Sequence, residues 1–458
     1  MALNGYRQQR KTPLGMTKSD ALKPRRQLGL FDATMIVMGG IVGAGIFANP
    51  SEVAHRVHTP FLILGVWVLG GLFAMWGAFI WAELATRLPG TGGQYLYLRE
   101  AYHPAIAFVY GWGLLLVTQT GGMAAVGVIF ASYSRALTGL AWNDSLIAAV
   151  VLLVLTGINC LGARVGSNVQ SVFMLLRIAA IGGLVFFGFA LGGNALKSQP
   201  LVGQPVSLGL LKDIGSAMVP IAFAYGGWQT ATFLAGEMRD ARRDLSRGLV
   251  MGVAGVVALY LAVNLVSLRV LGPGGLDATT TSASEVMRAA IGPRGAQWIA
   301  AGIAISTLGF LSQSMLTAPR VYYAMAHDGL FFSGVGKLSP RSRAPVVAIF
   351  LQGLAAIVIA CSGTYGEILN FEVTVDFIFF AMTAASLFIL RRRHVGSESV
   401  TFHVPGHPFT TMLFVLSCVG IVGSAIVASP ANSAIALGIM LAALPVYYYW
   451  RQFKRPGS

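Results

Sequence analysis

Gly39-Gly40-Ile41-Val42-Gly43-Ala44-Gly45-Ile46-Phe47 and Pro220-Ile221-Ala222-Phe223-Ala224-Tyr225-Gly226-Gly227-Trp228 are two places where glycine interrupts an otherwise apolar, helix-length run. In a bilayer the backbone has no water to pair with, so irregular segments survive only where protein or a cavity surrounds them. A helix unwound at mid-depth exposes carbonyls at the end of one half and N–H groups at the start of the other. Free carbonyls suit an ammonium; N–H groups at the positive end of a helix dipole suit a carboxylate. An α-amino acid carries both ions at a fixed separation. Gly43, Ala44 and Gly45 are small enough to admit such a ligand to the backbone. The competing reading is that these glycines only let helices pack closely.

A crossing needs about 20 mostly apolar residues. Measured that way, the sequence predicts an all-α membrane protein of twelve transmembrane helices, near 29–52, 61–87, 103–138, 145–163, 168–193, 211–237, 248–271, 295–324, 345–362, 367–390, 409–428 and 432–450. A closed barrel is excluded, because the runs are continuous rather than alternating. The two interruptions fall in the first and sixth spans, so they open two blocks of five helices, 28–195 and 211–392. An odd number of crossings per block turns the second upside down. Paired breaks at corresponding positions of two inverted halves point to a transporter's binding site. Residues 409–450 supply helices 11 and 12, and 451–458 a short cytoplasmic tail.

Composition agrees. Of 458 residues, 55% are hydrophobic and 11% charged, where a soluble domain carries about 25% charged. The net charge of +15 does not indicate a nucleic-acid surface, since the basic residues gather in the gaps between apolar runs. With the N-terminus inside, 24 of the 32 Lys and Arg residues fall on the inner side, seven on the outer side, and Arg177 within a span. That bias places both termini in the cytoplasm of a multi-pass protein of the cell membrane. Residues 1–27 read as a basic cytoplasmic tail rather than a signal peptide. Cys160, Cys361 and Cys418 are dispersed through apolar stretches and read as packing residues, with no metal-ligand spacing. No zinc-protease helix, paired CxxC or nucleotide-binding lysine loop is present, so no cofactor, no metal and no enzymatic chemistry are expected.

The motifs between the breaks carry a family resemblance. Ala82-Glu83-Leu84 with Pro89, Gly92-Gly93 and Tyr95-Leu96-Tyr97-Leu98-Arg99-Glu100-Ala101-Tyr102 resembles the segment joining helices 2 and 3 of the amino acid–polyamine–organocation superfamily. Phe223 to Trp228 matches the sixth-helix motif of its L-type amino acid transporters, and Gly43 to Phe47 resembles the family's first-helix break. Gly236-Glu237 with Arg242-Arg243-Asp244, and Pro319-Arg320 through Asp328-Gly329, resemble the loop after helix 6 and the end of helix 8. The resemblance covers most of residues 28–420. It implies a five-plus-five inverted repeat with broken helices 1 and 6, working by alternating access. Position by position, it implies a carboxylate on the N–H groups of Gly43, Ala44 and Gly45. The ammonium would sit on the carbonyls of Ile41, Phe223, Ala224 and Gly226, with Phe223 as outer gate. Ala44 departs from the family's usual hydroxyl residue, and Gln229 from its usual asparagine.

Arg177 and Asp376 are the charges that need an explanation. An ionised side chain in the bilayer costs at least about 2.5–3.5 kcal/mol on insertion scales, so each is a functional candidate. By resemblance, Arg177 stands where sodium-independent relatives carry a helix-5 lysine in place of a sodium ion. It would act as a permanent surrogate cation, unless it snorkels to the inner interface. The same resemblance puts Asp376 and Phe377 in the substrate's side-chain pocket. Asp376 could select cationic side chains, accept a proton, or pair with a neighbouring donor. The expected function is sodium-independent amino acid transport by exchange or facilitated movement. Proton-coupled or cationic amino acid and polyamine uptake is the alternative, and a non-transporting nutrient sensor the alternative from another class. The expected partners are the amino acid and the lipid bilayer. Nucleic acid is not among them, and residues 139–144 lack the cysteine that would attach a disulfide-linked heavy subunit.

Overall fold

The computed structural model describes residues 24–453 apart from 44, 140, 199–207, 363–364 and 429. Most of the basic N-terminal tail, and Ala44, therefore lie outside the described residues. Helix α1 (Leu30–Ile41) stops at Val42, and α2 (Gly45–Ala54) resumes the same run. Thr59 caps α3 (Pro60–Arg87), its hydroxyl accepting from the Leu62 amide at 3.3 Å, and Pro60 sits where a missing N–H is harmless. After the short α4 (Gln94–Ala101), α5 (Pro104–Gly113) passes through a π turn at Leu114–Thr118 into α6 (Gln119–Thr138). Next come α7 (Asp144–Cys160), α8 (Ala163–Leu191) and α9 (Leu208–Ala224), which gives way to a 3-10 stretch at Trp228–Glu237. Helix α10 (Ser246–Asp277) bends at Gly272-Pro273, followed by α11 (Ser282–Ile291), α12 (Pro293–Thr317) and α13 (Pro319–His327). The chain ends in α14 (Val346–Ser362), α15 (Tyr365–Arg392), α16 (Phe409–Ala428) and α17 (Pro430–Phe453).

Eight helical stretches among the described residues are long and apolar enough to cross a membrane, and α1, α7 and α14 are shorter apolar helices. The shortfall from twelve has physical reasons. The glycine breaks cut the first and sixth runs into halves. Helices α7 and α14 have 17 residues each, about 25 Å at helical rise, slightly less than a hydrocarbon core of about 30 Å. Large apolar side chains point outward, among them Leu175, Phe186, Phe350 and Leu354, as a helix surface facing lipid requires. Of the cysteines, Cys418 is buried and Cys160 partly so, whereas Cys361 is exposed at the end of α14 and packs no core.

Helix α1 runs through the middle of the bundle, against α8, α10, α12 and the 3-10 stretch. Its two breaks meet backbone to backbone. A Cβ on Gly227 would lie 2.0 Å from the Gly40 carbonyl oxygen, and one on Gly40 2.6 Å from the Gly227 oxygen. Gly227 also has φ +102°, which side chains rarely adopt. Helices α16 and α17 pack peripherally on α15 and α5.

Ion pairs tie one end of the bundle together. Glu83 on α3 accepts from Arg87 at 2.8 Å, from both ends of the Arg391 guanidinium, and from the Val404 amide at 2.8 Å. Glu237 accepts from Arg320 at 2.7 Å with both side chains buried.

Two predictions follow from this packing. Gly227→Ala adds backbone strain of about 1–3 kcal/mol before any steric overlap is counted. It should lower the thermal unfolding midpoint of the detergent-solubilised protein. Gly43→Ala, whose Cβ meets nothing within 4 Å, should leave the midpoint where it is. Glu237→Ala strands the buried Arg320 guanidinium and should destabilise by about 3–5 kcal/mol. The double variant Glu237→Gln, Arg320→Met should recover most of that loss in the same melt. Equal midpoints for the single and double variants would show that the pair is not what holds this end.

Candidate functional site

Most carbonyls around the first break have donors. The Met38 carbonyl accepts from the Val42 amide at 2.8 Å. Arg177 Nη1 donates to the carbonyls of Gly39, at 3.0 Å, and Val42. Tyr260 Oη lies 3.0 Å from the Ile41 oxygen and 3.2 Å from that of Ala224, so one hydroxyl reaches both breaks. Ser306 donates to the Gly43 oxygen at 3.1 Å. Donors from α8, α10 and α12 thus satisfy carbonyls that a helix end leaves without partners.

Arg177 is fully buried, which rules out snorkelling. Its guanidinium is wedged between α1 and α12, where a Cβ on Gly309 would come within 2.2 Å of Nη2. Its Nε and Nη2 have no hydrogen-bond partner among the described residues.

The second break is held by its own polar residues together with Asn49 of α2 and Gln313 of α12. The Gly226 amide donates to the Phe223 oxygen at 3.1 Å, and Asn49 Nδ2 to the Pro220 oxygen at 2.8 Å. Beyond the break, the Gly227 amide donates to Gln229 Oε1 at 3.1 Å and Thr230 to the Gly227 oxygen at 2.7 Å. Gln313 Nε2 from α12 then donates to Thr230 Oγ1 at 2.5 Å. Gln229, a departure from the L-type pattern, here serves the turn.

Between the breaks lies a cavity of about 290 Å³. It is lined by eight residues singled out in the sequence: Ile41, Gly43, Gly45, Phe223, Ala224, Gly226, Asp376 and Phe377. Ala44 is outside the described residues, and Arg177 stands behind α1 rather than in the lining. Phe223 is 45% exposed, although it borders the cavity. More of the wall comes from Gln119, Val126 and Ile129 of α6, Phe310 and Gln313 of α12, and Phe380 of α15. Phe380 belongs to the stretch Thr374 to Phe380 that the resemblance assigns to the side-chain pocket; sequence reading missed the others, and it missed Tyr260. The only hint of Tyr260 was a phenol inside an apolar run, which needs a buried partner for its hydroxyl.

Such a cavity, mostly apolar with a few convergent polar groups, is the size of one small ligand. Comparison with known proteins identifies the family of the chain as a whole. The chain matches the family described as amino acid permease over residues 28–449. It is 30% identical over 448 residues to the serine/threonine exchanger SteT of Bacillus subtilis, covering 96% of this chain and 99% of that one. The b(0,+)-type amino acid transporter 1 of Mus musculus is 28% identical over 382 residues, 80% of this chain and 76% of its own length. The large neutral amino acids transporter small subunit 2 of the same species is 25% identical over 447 residues, 93% and 82% respectively. Matched from α1 to within α17, with its cavity at two glycine breaks, this chain belongs to the amino acid permease family of the amino acid–polyamine–organocation superfamily.

Proposed function

We propose that this chain is a sodium-independent amino acid exchanger that works by alternating access through the cavity between its breaks. The observation that carries this reading is the position of Arg177, a fixed cation bonded to the carbonyls of Gly39 and Val42 directly behind the cavity. A bound sodium ion would need such carbonyls as ligands, and here a guanidinium already occupies them. The exchanger among the relatives, SteT, supports exchange over uniport.

In this reading the amide groups of Gly43, Ala44 and Gly45, at the start of α2, hold the substrate carboxylate. The carbonyls of Ile41, Phe223, Ala224 and Gly226 receive the ammonium. Tyr260 keeps one lone pair of the Ile41 or Ala224 oxygen engaged; a carbonyl has two, so the substrate can share it. Phe223 closes over the ligand from outside. The Glu83–Arg391 and Glu237–Arg320 pairs stand at the end that this reading makes cytoplasmic. Residues 28–195 and 211–392 form the two inverted five-helix repeats of a twelve-span protein of the cell membrane. Its termini are cytoplasmic, and 409–450 is appended. With no cysteine in residues 139–144, the chain works without a disulfide-linked heavy subunit.

Exchange into proteoliposomes loaded with unlabelled amino acids tests the reading. The wild-type rate should be the same in sodium and in choline. Arg177→Lys should retain binding, whereas Arg177→Ala should lose most of the exchange rate although residue 177 does not line the cavity. A rate that climbs steeply with sodium, or an alanine variant that exchanges normally, would remove Arg177 from this role. Gly45→Val should abolish substrate binding in a protein that stays monodisperse, because the branched side chain fills the carboxylate's place and stiffens the unwound backbone. Undiminished affinity in that variant would take the glycine run out of the site.

A further inference from the structure

Helix α15 turns Val373, Asp376, Phe377 and Phe380 toward the cavity, at the three- and four-residue spacing that shares one helix face. Asp376 is the only residue in the cavity lining with a formal charge. Among the described residues it has no ion pair and no hydrogen bond. Tyr110, within electrostatic reach of it, donates its hydroxyl to Gln94 Oε1 instead, at 3.4 Å. Gln119 from α6 brings a second acceptor to the same cavity, and its side-chain oxygen also has no donor among the described residues. The chain's formal net charge is +15, yet the one formal charge among the described residues of the cavity lining is this negative one, and it has no cation beside it.

We propose that the exchanged substrates are amino acids with cationic side chains, and that Asp376 selects them by pairing with the side-chain ammonium or guanidinium. The inference rests on the exchange reading above and names its substrate class. Three physical points support it. A desolvated carboxylate is costly unless it is paired, and a cationic side chain supplies that pair while its three or five N–H donors also reach Gln119. The backbone breaks already take the α-ammonium and α-carboxylate, so the charge on α15 is spare for a group further along the side chain. Acidic side chains are disfavoured twice: they meet a like charge, and no Arg or Lys stands among the described residues of the lining, the Arg177 guanidinium being turned toward α1.

The test is exchange of labelled amino acids by the full-length protein in liposomes, at pH 7 and in choline buffer. The competitors are lysine, arginine, ornithine, leucine, serine and glutamate, with wild type and Asp376→Asn compared. Wild type should prefer the three cationic substrates to leucine or serine by tenfold or more and should refuse glutamate. In Asp376→Asn the ratio of lysine to leucine exchange should fall at least tenfold, with the fold checked by monodispersity and thermal unfolding. Should the variant not fold, the wild-type rank order decides alone. A wild-type preference for neutral amino acids overturns the inference and leaves the exchange reading standing. An asparagine variant with the wild-type rank order does the same, showing that the charge at position 376 does not select the substrate. Failure to exchange any of the six overturns the exchange reading itself.

Discussion

The structure depends on a shortage of hydrogen-bond donors. When α1 stops at Val42 in the middle of the bundle, its last carbonyls lose the amides of the next turn. Each unpaired buried carbonyl costs about 1–3 kcal/mol, so a break of this kind stands only if surrounding helices bring donors to it. Here three helices do: α8 with Arg177, α10 with Tyr260 and α12 with Ser306. The arrangement of the bundle around α1 follows from that requirement. Arg177 has to pass close to α12, and Gly309 is the residue that leaves it room.

The breaks cannot be considered separately. Gly40 and Gly227 touch through bare backbone, and the Tyr260 hydroxyl spans the Ile41 and Ala224 oxygens. Donors and contacts are therefore shared across the two halves of the chain, and the cavity is formed by both. Helix α15 closes it from the side with the apolar rings of Phe377 and Phe380 and the single carboxylate of Asp376.

Much of this was legible in the sequence, because glycine, proline and charge are local signals. The run Gly39 to Gly45 marks the first break whatever packs around it, and Phe223 to Trp228 marks the second. Arg177 and Asp376 stood out because a bilayer makes charges conspicuous. Tertiary contacts were not legible. Tyr260 sits in a run of valine, alanine and leucine, where nothing in the spacing says that its hydroxyl reaches two carbonyls from other helices. Gln119, Phe310 and Gln313 joined the cavity for the same reason, since an apolar run has no polar face to reveal its orientation. The turn at Leu114–Thr118 carries no glycine or proline to announce it. The 17-residue lengths of α7 and α14 show how a hydropathy ruler blurs ends by a few residues, enough to move a helix across the threshold for a full crossing.

The guanidinium behind α1 also sets how the stability of the site responds to its surroundings. A dissociable ion holding the Gly39 and Val42 carbonyls would stabilise the break by RT ln(1 + [L]/Kd), so the core would loosen as the medium became dilute in that ion. A ligand attached through the chain at residue 177 has no such dependence. Its local concentration is set by the fold, and it is the same in any salt. The innermost turn of α1 is thus held by a ligand that cannot dissociate, and the stability of those two carbonyl contacts carries no dependence on the concentration of a free ion.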